Sequence, residues 1–456
     1  MKKIWILLVS IFAFNANGQD TSLNQDPTKA KVLTLKEAIN YALQNKSDAK
    51  KAKLQIENSE YQIQEVRSLA LPQVSLNGNL NYNPVLQETI LDGESLGGEP
   101  GTSVPLTFGQ TWTSGGGVAL TQTLFDQSVF TGLKAAQTTR EYYQINNQLT
   151  EEQVIERVAN NYYQVYVQRE KLAVLDSNYT NTIKVRDIIK GQFDNGLAKK
   201  IDLDRVNVKA NNISSQRQRV LNAVQVQENS LKFYMGMPIE TKISIPATEF
   251  EVKPQILTET PNTESRTEFL LLKSNEKLLE FQKKAEIAAY YPTLSLTAGY
   301  NYIGQGPKMP LFATPADKVY WSDYSGIGLN LKVPVFTGFR TKSKVSQADV
   351  KLRTIQEDLT NTKLALDLDY ENAKVNMENS LITISNQKEN SDLSQQVLQN
   401  TNNNYVQGLA SLTDLLDAEN AYIEAENNYH NAILEYKLAE IQLIKSKGEL
   451  KSLINN

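Results

Sequence analysis

One stretch constrains this chain more than any other: after Gly338 no glycine or proline occurs until Gly408. At a rise of 1.5 Å per residue, an unbroken helix there reaches roughly 100 Å. A second clean stretch, Leu133 to Lys190, reaches about 85 Å on the same rise. Leu197 to Met235 and Leu409 to Lys447 are clean as well. Globular helices usually run about 8–20 residues, so helices this long must pack along one another as a coiled coil or tube. The last stretch has the period for it. Leu415, Tyr422, Tyr429, Tyr436 and Leu443 fall seven apart, and Ala418, Ala425, Ala432 and Ala439 follow three behind. That is an a/d seam alternating large and small side chains, which permits close helix approach. Val206, Ile213 and Val220 echo the spacing until Gln227 breaks it.

Between the long stretches the period changes to two. Val74, Leu76, Leu80 and Tyr82 alternate with Gln73, Ser75, Asn77, Asn79 and Asn81. Leu294, Leu296, Ala298, Tyr300 and Tyr302 alternate with Thr293, Ser295, Thr297 and Asn301. A partner follows each after a loop. Trp112 to Phe125 carries Trp112, Val118, Leu120 and Leu124 on one face, and Trp321 to Phe336 carries Ile327, Leu329, Leu331, Val333 and Val335. These read as strands with one apolar and one polar face. Strands of about ten residues cross a bilayer when tilted. Tyr82, Trp112, Tyr300, Tyr302 and Trp321 lie toward the loops, while Phe125 and Phe336 lie toward the helices, like two aromatic girdles. The loops Asn83 to Gln110 and Gly304 to Tyr320 read as irregular and exposed.

The N-terminus fits export. Lys2 and Lys3 precede an apolar run from Ile4 to Phe14, and Ala16 and Gly18 fit a cleavage site before Gln19. No later stretch is apolar enough for a membrane helix. The absence of cysteine excludes disulfides, thiolate catalysis, Cys-bound metals and a lipidated cysteine. The single histidine, His430, leaves no histidine cluster for a metal and is expected on a solvated helix face. A net charge of −4 gives no basic face for nucleic acid. Gly115-Gly116-Gly117 lacks the lysine and hydroxyl of a phosphate loop; a bulge or close strand approach suits it better. The chain is expected to be no enzyme and to need no cofactor or metal.

The pattern occurs twice. Ala70-Leu71-Pro72-Gln73-Val74-Ser75-Leu76 resembles Tyr290-Tyr291-Pro292-Thr293-Leu294-Ser295-Leu296, and Phe193-Asp194-Asn195-Gly196-Leu197-Ala198 resembles Tyr405-Val406-Gln407-Gly408-Leu409-Ala410. Thr123-Leu124-Phe125-Asp126 resembles Pro334-Val335-Phe336-Thr337. The expected layout is a signal peptide at 1–18, a first repeat at 19–240, a linker at 241–264 and a second repeat at 265–456. Strands are expected at about 73–83, 111–125, 293–303 and 321–336, and long helices at about 127–190, 199–235, 339–404 and 411–450. Pro72, Pro292 and Pro334 mark crossings between helix and strand. Four strands cannot close a barrel, and lipid tolerates no open edge. The physics therefore predicts an α+β membrane protein in which several copies share one barrel, continued by a helical tube. A soluble periplasmic coiled-coil scaffold or adaptor is the alternative, and it has no use for four membrane-length strands.

The order of elements, the paired Pro-led strands, the paired Gly-Leu-Ala turns and the opening Leu33-Thr34-Leu35-Lys36-Glu37-Ala38-Ile39 resemble the TolC family of outer-membrane efflux proteins. The resemblance spans Leu33 to Leu450. It implies a homotrimer with a twelve-stranded barrel in outer-membrane lipid and a twelve-helix α-barrel reaching into the periplasm of a Gram-negative cell. It also implies a periplasmic adaptor protein and, through it, an inner-membrane transporter that supplies the energy for efflux or type I secretion. The family's inward-facing aspartates fall on Asp414 and Asp417, which would form two acidic rings at the closed periplasmic tip and favour cations. Ser411-Leu412-Thr413-Asp414 also reads as a helix capping box, and the two roles are compatible. The family's polar lock falls on Tyr405 and Asp202, where a phenol–carboxylate hydrogen bond would be the link; its basic member falls on Ala410, which implies either a weaker lock or Lys199 or Lys200 as the substitute. Tyr405 as a packing residue and Asp202 as a helix cap fit the residues equally. Gly196 and Gly408 read as left-handed helix caps, and Leu197, Ala198, Leu409 and Ala410 as adaptor contacts beside them.

Overall fold

The structure, a computed structural model, describes residues 31–97, 99, 101–246 and 262–455. The expected signal peptide at 1–18 and most of the expected linker at 241–264 lie outside the described residues. Strand β1 (Lys31–Val32) leads into helices α1 (Leu35–Asn45) and α2 (Ser47–Ser68). Next come β2 (Gln73–Tyr82), the hairpin β3 (Glu88–Asp92) and β4 (Ser103–Thr107), and then β5 (Trp112–Phe125). The long helices α3 (Gln127–Asp194) and α4 (Lys200–Met235) complete the first copy. After β6 (Ile243–Ser244) the second copy runs α5 (Thr267–Ala288), β7 (Thr293–Gly306), β8 (Tyr320–Lys332), α6 (Arg340–Val406) and α7 (Leu412–Ser446), with a last turn α8 (Ser452–Asn455). Among the described residues, no helix is long and apolar enough to cross a membrane.

The sheet brings the two copies together. Its order is β2-β5-β7-β8, antiparallel throughout, so the two hairpins join along β5 and β7. Register puts most apolar positions on one face, with Ala119, Ile303 and Tyr324 on the other. Leu76 pairs with Val118, Val118 with Tyr300, Leu296 with Leu329 and Ala298 with Ile327. Leu76, Ile327, Leu329 and Leu331 on that face are exposed. The other face carries Asn77, Asn79, Asn301 and Asn330 among glycines. Gly115 and Gly117 are explained there: the Asn79 and Asn301 side chains lie across them, and a Cβ at Gly115 would stand 2.9 Å from Asn79 Oδ1. The triple glycine is a close approach, and the sheet's register shift falls instead between Thr123 and Phe125. It sets Phe125, rather than Leu124, opposite Leu294. Tyr82 meets Trp112 at 4.6 Å, and Tyr302 stacks on Trp321 at 4.8 Å, at the loop end of the sheet.

Two strand limits differ from expectation. β7 runs on to Gly306, and β8 stops at Lys332, short of Val333 and Val335. Pro334 has no N–H to extend the ladder, so it ends the strand ahead of itself. The loop at 83–110 is also more ordered than expected, since it contains the β3–β4 hairpin. Pro72 and Pro292 each stand one residue before a strand, as expected. The two sheet-to-helix crossings differ. Asp126 caps α3, accepting from the Ser128 N–H at 2.7 Å, whereas the second copy turns through Gly338 and Phe339, both left-handed at φ 59° and 62°.

The core sits around the middle of the long helices, where α1 packs on α3 and α4, and α3 on α7. Thr34 and Glu37 cap α1 reciprocally. This seats Leu33, Ala38, Ile39 and Ala42 in one cluster with Ile155, Val158, Met377, Tyr436 and Leu443. The expected α7 seam is present: Leu415, Tyr436, Leu443 and all four seam alanines are buried. On α4, Val206 and Ile213 are buried, but beyond Val220 the buried apolar positions are Val224, Leu231 and Met235. Gln227 is taken up by a hydrogen bond to Gln164 of α3.

Candidate functional site

The first long helix of each copy ends on the same backbone device. Gly196 and Gly408 are left-handed, at φ 74° and 75°. The Leu197 N–H donates to the Gln192 carbonyl at 2.7 Å, and the Leu409 N–H to the Asn404 carbonyl at 2.8 Å. The glycine N–H groups donate to the Phe193 and Tyr405 carbonyls at 2.9 and 3.0 Å. These are Schellman turns, which let each chain reverse without leaving carbonyls unpaired. They present Leu197 and Leu409 almost fully to the surroundings, 81% and 75% exposed, with Ala198 and Ala410 half-buried behind them.

The two turns meet at a small cluster. Ile189, Val206 and Leu412 are buried together, with Val185, Ala198, Leu203, Tyr405 and Leu416 packed around them. Tyr405 therefore packs, and no hydrogen bond joins its phenol to Asp202 among the described residues. The expected phenol–carboxylate bond gives way to burial of the ring. Burial first, and the Asp202 charge second, push the Tyr405 phenol above its ordinary value. Asp202 is no helix cap either: Lys199 is the N-cap of α4 and makes no side-chain cap bond.

Lys199 and Lys200 make no ion pair among the described residues. The bonds between the turns come from one and two helical turns further along α4. Arg205 Nη1 donates to Thr413 Oγ1 at 2.9 Å, and Lys209 Nζ donates to Asn420 Oδ1. Sequence reasoning missed both residues. The available signal was their spacing, four apart and beside the seam position Val206, which puts both on the side of α4 that meets α7.

Asp414 closes the capping box of α7. Its Oδ2 accepts from the Ser411 N–H at 2.8 Å and from Ser411 Oγ at 2.7 Å, while Ser411 Oγ accepts from the Asp414 N–H at 3.2 Å. Those donors hold its carboxyl below the ordinary range. Asp417 is exposed one turn on, and its charge acts on Lys209. Glu419 is the buried acid of this region, 7% exposed, with Oε2 unpartnered. Burial raises its carboxyl above the ordinary range, against the pull of Lys209. Among the described residues no group of three His, Cys, Asp or Glu side chains could hold a metal ion.

His430 is a correction. It is buried at 8% exposure rather than solvated, because α7 is covered by α3 as well as α6. Its Nε2 stands 3.4 Å from Glu426 Oε2. The imidazole, with Ser391 and Lys388 of α6, holds the Glu426 carboxyl below its ordinary value.

The geometry so far is a sheet with one apolar face and two open edges, continued by helices that end in paired, polar-linked turns. Comparison with known proteins finds the same plan. A family model described as "Outer membrane efflux protein" matches residues 38–237 and 275–449. The outer membrane protein TolC of Vibrio cholerae is 22% identical over 396 residues, covering 84% of this chain and 83% of that one. The crystal structure of the CmeC outer membrane channel of Campylobacter jejuni superposes with a TM-score of 0.72 at 16% identity, covering 91% of this chain and 85% of that one. The outer membrane protein VceC of Vibrio cholerae gives a TM-score of 0.69 at 15% identity, over 91% and 96%.

Proposed function

The chain belongs to the outer membrane efflux protein family, and from that premise we propose how it works as a duct. It is an outer-membrane exit duct of efflux systems, reaching from the outer membrane into the periplasm. Three copies close the barrel, each adding its β8 edge to the β2 edge of the next, and twelve long helices continue the wall as a tube. The observation that carries this reading is the sheet: one face apolar, the other lined by Asn and Gly, with both edges unpaired. Such a sheet is stable in lipid only when closed on itself.

Transport through the duct is passive and the chain is no enzyme. An inner-membrane transporter supplies the energy, coupled through a periplasmic adaptor that meets the tips at Leu197, Ala198, Leu409 and Ala410. Tip closure rests on the packed Tyr405 with Asp202 beside it, and on the Arg205–Thr413 and Lys209–Asn420 links. Asp414 and Asp417 ring the closed tip and draw cations into it. Capping does not remove the Asp414 charge; it keeps that carboxyl ionised.

Purification of the mature chain with and without detergent tests the duct. A detergent-dependent trimer is expected, and a soluble monomer would sink the reading. In planar bilayers, Asp414→Ala combined with Asp417→Ala is expected to weaken block of conductance by divalent cations. Block of wild-type strength in that variant removes the gate assignment.

A further inference from the structure

A hollow of about 330 Å³ lies where the end of α5 meets the start of α3, lined by Phe130, Lys134, Phe281, Lys284, Ile287 and Tyr291 among others. We propose that it binds the phosphate headgroup of an anionic glycerophospholipid of the periplasmic leaflet, with Lys134 and Lys284 as the cationic contacts. The inference rests on the membrane placement of the four-stranded sheet.

Position is the first support. β5 ends at Phe125 and α3 begins at Gln127; α5 ends at Ala288 and β7 begins at Thr293. At 1.5 Å per residue, Lys134 lies about 10 Å into α3, and Lys284 about 6 Å before the end of α5. The headgroup layer flanking the hydrocarbon is roughly 5–8 Å deep, and a lysine can extend its ammonium toward it.

Charge is the second. Neighbouring cations are already paired: Lys283 with Asp349 at 2.6 Å, and Lys344 with Glu286 at 3.7 Å. Lys134 and Lys284 have no carboxylate partner among the described residues, and no acidic side chain lines the hollow. Lys284 Nζ lies 5.1 Å from the Phe281 ring centroid.

The walls are the third. Phe130, Ile287 and Tyr291 are 54%, 36% and 49% exposed. Two ammonium groups without a carboxylate partner among the described residues, beside exposed apolar walls, suit an amphiphile with an anionic head, and free phosphate has no use for the walls.

Native mass spectrometry of the full chain in detergent tests this, with phosphatidylglycerol, phosphatidylcholine and inorganic phosphate as probes. Wild type is expected to retain phosphatidylglycerol over phosphatidylcholine, which needs no variant to decide. Each lysine near a lipid surface contributes about fivefold, so K134Q with K284Q should weaken phosphatidylglycerol binding by roughly 25-fold. K134R with K284R should keep it. Equal retention of the two lipids, undiminished binding in the glutamine variant, or inorganic phosphate held as firmly as the lipid overturns the inference. A detergent-dependent trimer without lipid preference overturns it alone; a chain soluble without detergent overturns the membrane reading beneath it.

Discussion

Asp414 is held by Ser411 at the start of α7, whereas Asp417, one turn on, accepts no hydrogen bond among the described residues. The two proposed ring members can therefore be separated by their side effects. Asp417→Asn is expected to weaken divalent block with the melting temperature unchanged, while Asp414→Asn should lower both, as bilayer conductance and thermal unfolding would show. Glu419 gives a pH dependence. Its carboxyl is raised by burial, so the folded chain holds the proton more tightly than the unfolded chain. Its stability contribution is present below the ordinary carboxyl range and is lost as pH rises through the raised value. Glu419→Gln removes that loss. Its melting temperature should gain on wild type between pH 4 and pH 8, and a constant difference would contradict the burial argument. The capping box at Ser411 and Asp414 was legible because its spacing is local. The burial of Glu419 and His430 was not, since each depends on which helices cover α7.

At the scale of the element, the α7 seam was the most legible feature. Its seven-residue spacing survives in the packing because helices that wind slightly around one another keep a heptad seam facing inward along its whole length. The small members set how close α6 and α7 approach. Ala432 is 2% exposed, so Ala432→Leu should overpack the seam, lowering stability by about 1–3 kcal/mol in thermal or denaturant unfolding. The α4 seam was less legible, because its buried positions shift from Val206 and Ile213 to Val224 and Leu231. That shift follows the changing set of neighbours along α4, with α7 at the tip and α1 near its other end. Both Schellman turns were readable from single glycines, since a left-handed cap needs no tertiary partner. The early end of β8 was equally local: Pro334 was placed correctly as a boundary, but its effect reaches the residues before it.

For the whole molecule, the assignment of sheet faces decides what meets lipid. Leu76 and Asn77 are neighbours on β2 and point to opposite faces. Leu76→Arg should cost about 2–4 kcal/mol if its side chain faces mid-bilayer and so lower the yield of folded trimer, whereas Asn77→Arg should leave that yield intact. Equal yields would reverse or abolish the face assignment. The sequence by itself determined the main helices and strands, the apolar face of each strand and the expectation of more than one copy. These follow from periods of two and seven, from glycine and proline positions, and from the rule that strand edges must be satisfied in a membrane. Only the tertiary structure decided that β5 and β7 join the hairpins, that Asn side chains cover the triple glycine, and that Arg205 and Lys209 link the tips. It alone buried Glu419 and His430, and left Lys134 and Lys284 without a carboxylate partner among the described residues. The physical reason is range. A repeat or a cap is satisfied within a few residues, but burial and charge pairing depend on partners far away in the chain, such as Thr413 for Arg205, that folding alone brings within reach.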